Sequence, residues 1–167
     1  MSVTVSQGNS PYKVSAGQSD SSDFVVGQVW GKKHGDRFLL DQVRQRFDFP
    51  KTLDAVRMST RKWPLTHRKL VEDKANGTAV IATLKHEIQG LIAVNPEGGK
   101  EARASAVSPQ IESGNVYLPH PSIAPWVGAL IDECASFPNA AHDDQVDSMS
   151  QALLHWTTRK SVNIRVL

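Results

Sequence analysis

The sequence predicts a single α/β domain, with a mixed central sheet that contains an antiparallel hairpin and carries helices on both faces. A β-prone run at 24–30, turn residues at 31–36 and a second extended run at 37–43 predict the hairpin. A strand, a helix and a strand follow in close succession between 69 and 94, which predicts a parallel pair with a right-handed crossover. The length of 167 residues, 40% of them hydrophobic, suits one core.

The ends of the chain differ in composition from its middle. Residues 1–22 are rich in Ser, Gly, Gln and Asn, and predict a weak first strand followed by a flexible loop. Residues 23–157 are expected to form the folded domain. Residues 158–167 form a C-terminal tail, and the alternating apolar residues at 162–166 fit either an edge strand or disorder.

Helices and strands alternate through the rest of the predicted domain. Pro50 suits the first turn of a helix that Trp63 and Pro64 end. Leu130, with Trp126 and Ile131, is expected to face inward from a later helix. The remaining segments are predicted as strands at 69–73, 91–94 and 115–118 and as helices at 78–88, 97–113, 124–135 and 143–156.

Composition excludes several classes of protein. Cys134 is the only cysteine, so the chain can form neither an internal disulfide nor a cysteine zinc cluster, which fits a reducing compartment. No apolar run approaches the roughly 20 residues of a membrane span, so we expect no membrane partner. A net charge of +2 is too small to identify a nucleic-acid partner.

Two acidic groups lie where a metal site could form. Glu72 and Asp73 end a predicted strand, at the edge where sites lie in open α/β sheets, and Gly77 precedes the next helix. Asp143, Asp144 and Asp147 begin the last helix, where Asp144 and Asp147 share a face. A solvated strand end and ordinary helix capping are the alternatives. Carboxylates converging from different elements are typical of sites for two divalent ions.

Basic residues and one histidine accompany these acids. They gather around 57–69 and at 85–103, and solvated helix faces explain most such residues. If the protein acts on DNA, Lys100 and Arg103 are the best candidates for phosphate contacts, with Arg68 and Lys74 as further candidates. His142 could orient a metal ligand or the attacking water beside Asp143, although a histidine before a helix is more often a cap or packing residue.

Several ordered stretches resemble the C-terminal nuclease domain of tailed-phage large terminases. The resemblance covers roughly residues 20–156 in the order of that family, which is more specific than any single acidic motif. The stretches that carry it are SDFVVGQVWG (22–31), VEDKANG (71–77), KEARA (100–104), ESGNVYLP (112–119), FP (137–138) and HDDQVD (142–147).

The resemblance implies a ribonuclease H-like fold and a nuclease that cleaves double-stranded, concatemeric phage DNA during packaging in the host-cell cytoplasm. It implies that Glu72 is the metal ligand on the central strand and that Asp143 and Asp144 are the catalytic pair on the last helix. Two Mg²⁺ or Mn²⁺ ions are the expected cofactors, since hard carboxylates favour them over zinc. Asp73 and Asp147 are further candidate ligands. The family's partners are an ATPase domain, a portal protein and a small terminase.

Two departures from the family bear on activity. The family opens with a first-strand aspartate, but no acid precedes Asp20 in this chain, and Thr4 or a residue near Tyr12 and Lys13 holds that place. Either the first strand is altered, or Asp20 or Asp23 supplies the ligand from the loop. The chain also has no phosphate-loop motif, so we expect it neither to bind ATP by that motif nor to translocate DNA. A catalytically impaired DNA-binding or packaging module, or a resolvase-like nuclease, remains the alternative.

Overall fold

The computed structural model describes the backbone of residues 2–7 and all of residues 24–74 and 76–157. The described strands form one mixed sheet of six strands. They are β1 (Ser2–Gln7), β2 (Phe24–Lys33), β3 (Asp36–Arg46), β4 (Arg68–Glu72), β5 (Leu91–Val94) and β6 (Val116–Tyr117), in the spatial order β5-β4-β1-β2-β3-β6. The predicted hairpin is confirmed as β2 and β3, and the predicted parallel pair as β4 and β5.

Helices cover both faces of the sheet, as predicted. They are α1 (Phe49–Lys62), α2 (Asn76–Leu84), α3 (Lys100–Glu112), α4 (Val127–Ser136) and α5 (Asp144–Thr157). Asp48 caps α1 by accepting a hydrogen bond from Lys51 N, and Pro50 lies in the first turn. Because each sheet face needs apolar cover, α1 and α2 pack on one face and α3, α4 and α5 on the other.

Alternation along the strands sorts apolar side chains into two cores. Val25 and Val29 of β2 and Val71 of β4 point toward α1 and α2 and pack with the buried residues Leu53, Val56, Val80, Leu84 and Ile88. On the opposite face, Trp30 of β2 and Leu39 of β3 pack with Val107, Leu130, Met149, Ala152 and Leu153. The last helix therefore lies over the centre of the sheet, against β1 and β2.

Register places the first strand at the centre of the sheet. β1 runs parallel to β4, with Thr4 beside Leu70 and Val5 beside Val71, and antiparallel to β2, with Val5 beside Gly27. One residue further along both parallel strands are Ser6 and Glu72. The carboxyl end of β1 therefore lies at the same sheet edge as Glu72.

Some predicted boundaries and orientations are corrected. The helix expected at 78–88 ends at Leu84, and the helix expected at 97–113 begins at Lys100. Ile131 does not face inward as predicted, because it lies on the outer side of α4 and is 47% exposed. The loop predicted before β2 and the tail predicted at 158–167 lie outside the described residues. No helix in the described ranges is long and apolar enough to cross a bilayer.

Candidate metal centre

Glu72 marks the carboxyl edge of the sheet. It is the last residue of β4, and its side chain is only 12% exposed. Lys74 lies 3.5 Å from one Glu72 carboxylate oxygen, and Gln151 Nε2 donates to the other at 3.2 Å. The start of α2 packs so closely behind this strand that a Cβ on Gly77 would lie 1.9 Å from the Glu72 carbonyl oxygen. Glycine at 77 therefore allows α2 to begin directly beside the predicted ligand.

The N-terminus of α5 is held by a carboxylate from another helix. Glu133 of α4 is buried, and its Oε1 accepts hydrogen bonds from Gln145 N at 2.7 Å and Val146 N at 3.1 Å. Its Oε2 accepts one from Gln145 Nε2 at 2.6 Å. A helix leaves its first N–H groups without internal acceptors, and a carboxylate there also complements the helix dipole. Glu133 thereby fixes the position of the acidic motif.

The surroundings of Asp144 disfavour the charged form of its carboxylate. It is 5% exposed, and burial raises its pKa to about 6. The positive charge of Lys100 opposes that rise, whereas the negative charges of Asp143 and Glu133 add to it. A buried carboxylate beside two others is stabilised by any added cation.

Lys100 supplies one positive charge to this motif. Its Nζ donates to Asp143 Oδ1 at 2.6 Å, and both side chains are partly buried. Burial alone would lower the pKa of Lys100, but the hydrogen bond to Asp143 and the charges of Asp143, Asp147 and Asp144 outweigh it, so the pKa is raised. Lys100 therefore stays charged and lies against the carboxylates rather than extending into solvent.

Asp147 and Gln151 lie further along α5 and interact with each other and with residues of α3 and β4. Arg103 of α3 donates to Asp147 Oδ1 through Nη2 at 2.5 Å and Nε at 3.1 Å. Gln151 Nε2 donates both to Asp147 Oδ2, at 3.3 Å, and to Glu72. The buried Gln151 Oε1 has no hydrogen-bond partner within the described part of the chain. Gln151 thus connects Glu72, the predicted ligand on β4, to α5.

The predicted basic residues have different surroundings. Arg103 is only 7% exposed and is engaged by Asp147 and by Gly98 O, so it does not present its guanidinium to a phosphate as predicted. Arg68 begins β4, and four residue steps, about 13 Å, separate it from Glu72. Lys74 and Lys100 lie beside Glu72 and Asp143 and are more exposed than Arg103, which is paired with Asp147.

The remaining predicted residues do not all join the site. Asp73 accepts a hydrogen bond from Thr78 Oγ1 at 2.7 Å, which ties it to the start of α2. His142 is exposed and packs edge-on against Phe24, with ring centroids 5.0 Å apart, rather than on Asp143. Asp20 and Asp23 lie outside the described residues.

The structure assembles the expected ligands in part. Asp143 and Asp144 are adjacent, and Glu72 and Asp147 meet through Gln151. Across residues 24–74 and 76–157, however, no three His, Cys, Asp or Glu side chains form a group that could hold a metal ion. The donor chemistry suits a hard divalent cation, because it consists of carboxylate oxygens and of the buried Gln151 Oε1, which has no hydrogen-bond donor among the described residues.

Two residues that organise the candidate site, Glu133 and Gln151, were not predicted from the sequence. Glu133 looks like a surface acid in a helical pattern, and only the fold shows that it reaches the N-terminus of α5. Gln151 lies one helical turn after Asp147, so the i,i+4 spacing was a usable signal. Cys134 is partly buried, and burial raises its thiol pKa to about 11.

Comparison with known proteins identifies the family. A model described as the terminase RNase H-like domain matches residues 15–155. No curated protein matches the chain. Two similar solved structures are of the large terminase nuclease from thermophilic phage G20c, one with bound zinc and one with bound cobalt. Their TM-scores are 0.65 and 0.64, both at 15% identity; the matches cover 95% and 91% of this chain and 81% and 80% of theirs. The predicted ribonuclease H-like fold is confirmed, and the chain belongs to the terminase RNase H-like domain family.

Proposed function

We propose that this chain is an endonuclease that hydrolyses phosphodiester bonds of double-stranded DNA with divalent metal ions, in the context of phage genome packaging. The observation that supports the proposal is that α5, whose start is held by Glu133, carries Asp144 and Asp147 and is linked through Gln151 to Glu72 at the end of β4. Family membership supports a nuclease. The zinc and cobalt in the G20c structures support a divalent cofactor, for which we propose Mg²⁺ or Mn²⁺.

Glu72, Asp143 and Asp144 are the residues that would hold the metal, with Asp147 and the Gln151 amide oxygen next to them. Bound divalent ions would activate water and stabilise the leaving oxygen. The chain's own contribution is to position these groups. Glu133 fixes the start of α5, Gln151 orients Glu72 without neutralising it, and Lys100 offsets the negative charge of the Asp143 and Asp144 pair.

A plasmid-nicking time course tests this proposal. The parent should nick supercoiled DNA with Mn²⁺ or Mg²⁺ and be inactive with EDTA. Asp144→Asn and Glu72→Gln should lower the rate by at least about 100-fold, since each removes charge at the reacting centre. Asp132→Asn, which changes an exposed acid on the same helix as Glu133, is the matched control. Nicking that survives both site substitutions would overturn the proposal.

The second candidate is a DNA-binding packaging module that has lost catalysis. The observation that favours it is the absence of Asp or Glu from β1, whose sequence is SVTVSQ. Such a module would bind DNA in a gel shift yet leave plasmid intact with either ion. Preferential cleavage of four-way junctions over linear duplex would instead indicate a resolvase-like nuclease. Contacts with an ATPase domain, a portal protein and a small terminase are proposed from the family alone.

A further inference from the structure

An aromatic ring carrying two arginines lies beside the acidic site. Phe24 is the first residue of β2, and the Arg44 and Arg46 guanidinium carbons lie 4.2 and 4.9 Å from its ring centroid. The edge of the same ring meets His142, which precedes the acidic motif of α5. We call Phe24, Arg44, Arg46 and His142 the Phe24 cluster. None of the cluster's residues was predicted to bind DNA, and His142 was considered only as a residue that could orient a metal ligand or the attacking water.

Strand register puts the Phe24 cluster at the same edge as the carboxylates. Val5 of β1 pairs with both Val71 and Gly27, so Glu72 and Val26 are at the same level in the sheet. Phe24 lies two residues, about 7 Å, further out, and it pairs directly with Arg46. Arg44 pairs with Val26, so both arginines lie on the sheet face that α5 covers. The cluster therefore borders the acidic site on the side of β3.

The two arginines remain accessible to solvent. Arg44 is 24% exposed, and its Nη2 lies 3.5 Å from Glu133, which is an ion pair longer than an ordinary hydrogen bond. Arg46 is exposed. Stacking on Phe24 holds the arginines in place, so less side-chain entropy is lost when they bind an anion.

We propose that the Phe24 cluster is a phosphate-binding surface that positions the DNA duplex over the acidic site, through Arg44 and Arg46. This inference rests on the proposed nuclease function. β3 is three strand spacings, about 14 Å, from β4, so the arginines would contact a phosphate other than the one at the carboxylates. The Phe24 ring is covered by the guanidinium groups, which disfavours base stacking and favours sequence-independent contacts with the backbone of duplex DNA.

DNA binding without metal tests this surface separately from cleavage. Fluorescence anisotropy in EDTA, over about 50 to 200 mM salt, compares the parent with Arg44→Gln/Arg46→Gln on two unrelated duplexes. We expect weaker binding on both duplexes and a salt dependence that is shallower by about two ions, because two phosphate contacts are lost. Arg61→Gln/Lys85→Gln removes the same charge from exposed positions on α1 and beyond α2, and should change the slope little.

The controls separate this inference from folding and from the proposed activity. Because Arg44 pairs with buried Glu133, the single Arg46→Gln variant is measured as well, with the melting temperature of every variant. Loss of affinity in Arg46→Gln at an unchanged melting temperature supports the surface, even if no variant nicks plasmid. Equal affinity and slope for the two double variants would overturn it, even if the parent is an active nuclease.

Discussion

At the scale of single residues, the site balances negative charges that burial would otherwise disfavour. Asp144 and Asp147 are both buried, and each has a basic residue of α3 near it: Lys100 acts on Asp144 through its charge, and Arg103 pairs directly with Asp147. Lys100 and Arg103 were both predicted to contact phosphate, yet their burial and their ion-pair partners differ. Removing one partner of a buried pair such as Arg103 and Asp147 costs about 3 to 5 kcal/mol. If an Arg103 variant lost DNA binding, destabilisation of the fold would therefore be the first explanation, ahead of the loss of a phosphate contact.

The pKa of Asp144 predicts how the stability of the metal-free protein depends on pH. The folded-state pKa of about 6 is above the ordinary 3.8, so the folded state binds the proton more tightly than the unfolded state. Stability therefore falls as the pH rises from about 4 to about 6, and stays lower above that range. Asp144→Asn, which mimics the protonated form, should stabilise the domain at pH 7.5 by on the order of 2 kcal/mol more than at pH 4.5.

Urea unfolding in EDTA at the two pH values measures this difference. Asp143→Asn is a useful comparison, because Asp143 is more exposed and is paired directly with Lys100. A stabilisation by Asp144→Asn that is equal at pH 4.5 and pH 7.5 would show that burial of the charge is not its cause.

At the scale of elements, α5 depends on a contact from α4 for its first turn. Glu133 provides the acceptor for the N–H groups of Gln145 and Val146. The side chain of Gln145 in turn accepts a 2.7 Å hydrogen bond from Gln42 Nε2. Gln42 accepts from Gln28, whose own side chain accepts from Trp30 Nε1. A polar network thus runs from the start of α5 into the sheet, and it defines where the acidic motif lies over the strands.

Glu133→Ala should destabilise the domain by on the order of 2 kcal/mol, because it leaves buried donors of α5 without an acceptor. The same change should lower divalent-metal affinity, since the start of α5 loses its fixed position. Chemical denaturation and isothermal titration with Mn²⁺ measure the two effects. Asp132→Ala, at the neighbouring exposed position, should change stability by no more than about 0.5 kcal/mol. Equal effects of the two substitutions would refute the capping role.

Elements with a strong local pattern were predictable from sequence. The hairpin, the parallel pair β4 and β5, and the helices α1 and α5 follow from periodicity and turn residues, which are local properties. The orientation of Ile131 was predicted wrongly because α4 is apolar around much of its circumference. The side that packs on the core carries Val127 and Leu130, and Ile131 lies outside it. The environments of Arg103 and Glu133 depend on residues more than ten positions away, so no local pattern could reveal them.

At the scale of the whole molecule, the candidate site lies where three segments that are distant in the sequence meet at one edge of the sheet. β1 lies between β2 and β4, although about 60 residues separate it from β4 in the chain. The predicted ligands come from β4 and α5, and α5 packs on β1 and β2. From the sequence, the place of the family's first-strand aspartate was assigned to Thr4 or to a residue near Tyr12 and Lys13. The register instead makes Ser6 the β1 residue that is level with Glu72, while Tyr12 and Lys13 lie outside the described residues.

Ser6→Asp should therefore strengthen metal binding and increase cleavage. Residues level with each other on adjacent strands share a face of the sheet, so an aspartate at 6 is expected beside Glu72 and below α5. The described residues contain no group of three possible ligands, and a further carboxylate would add one for a hard cation. We expect at least about tenfold tighter Mn²⁺ binding, and a larger gain in nicking with Mg²⁺ than with Mn²⁺, because Mg²⁺ demands stricter octahedral coordination. Thr4→Asp, two residues earlier on the same strand, is the matched control. If Thr4→Asp gains as much as Ser6→Asp, or if the parent is fully active with Mg²⁺, the first strand lacks no ligand at position 6.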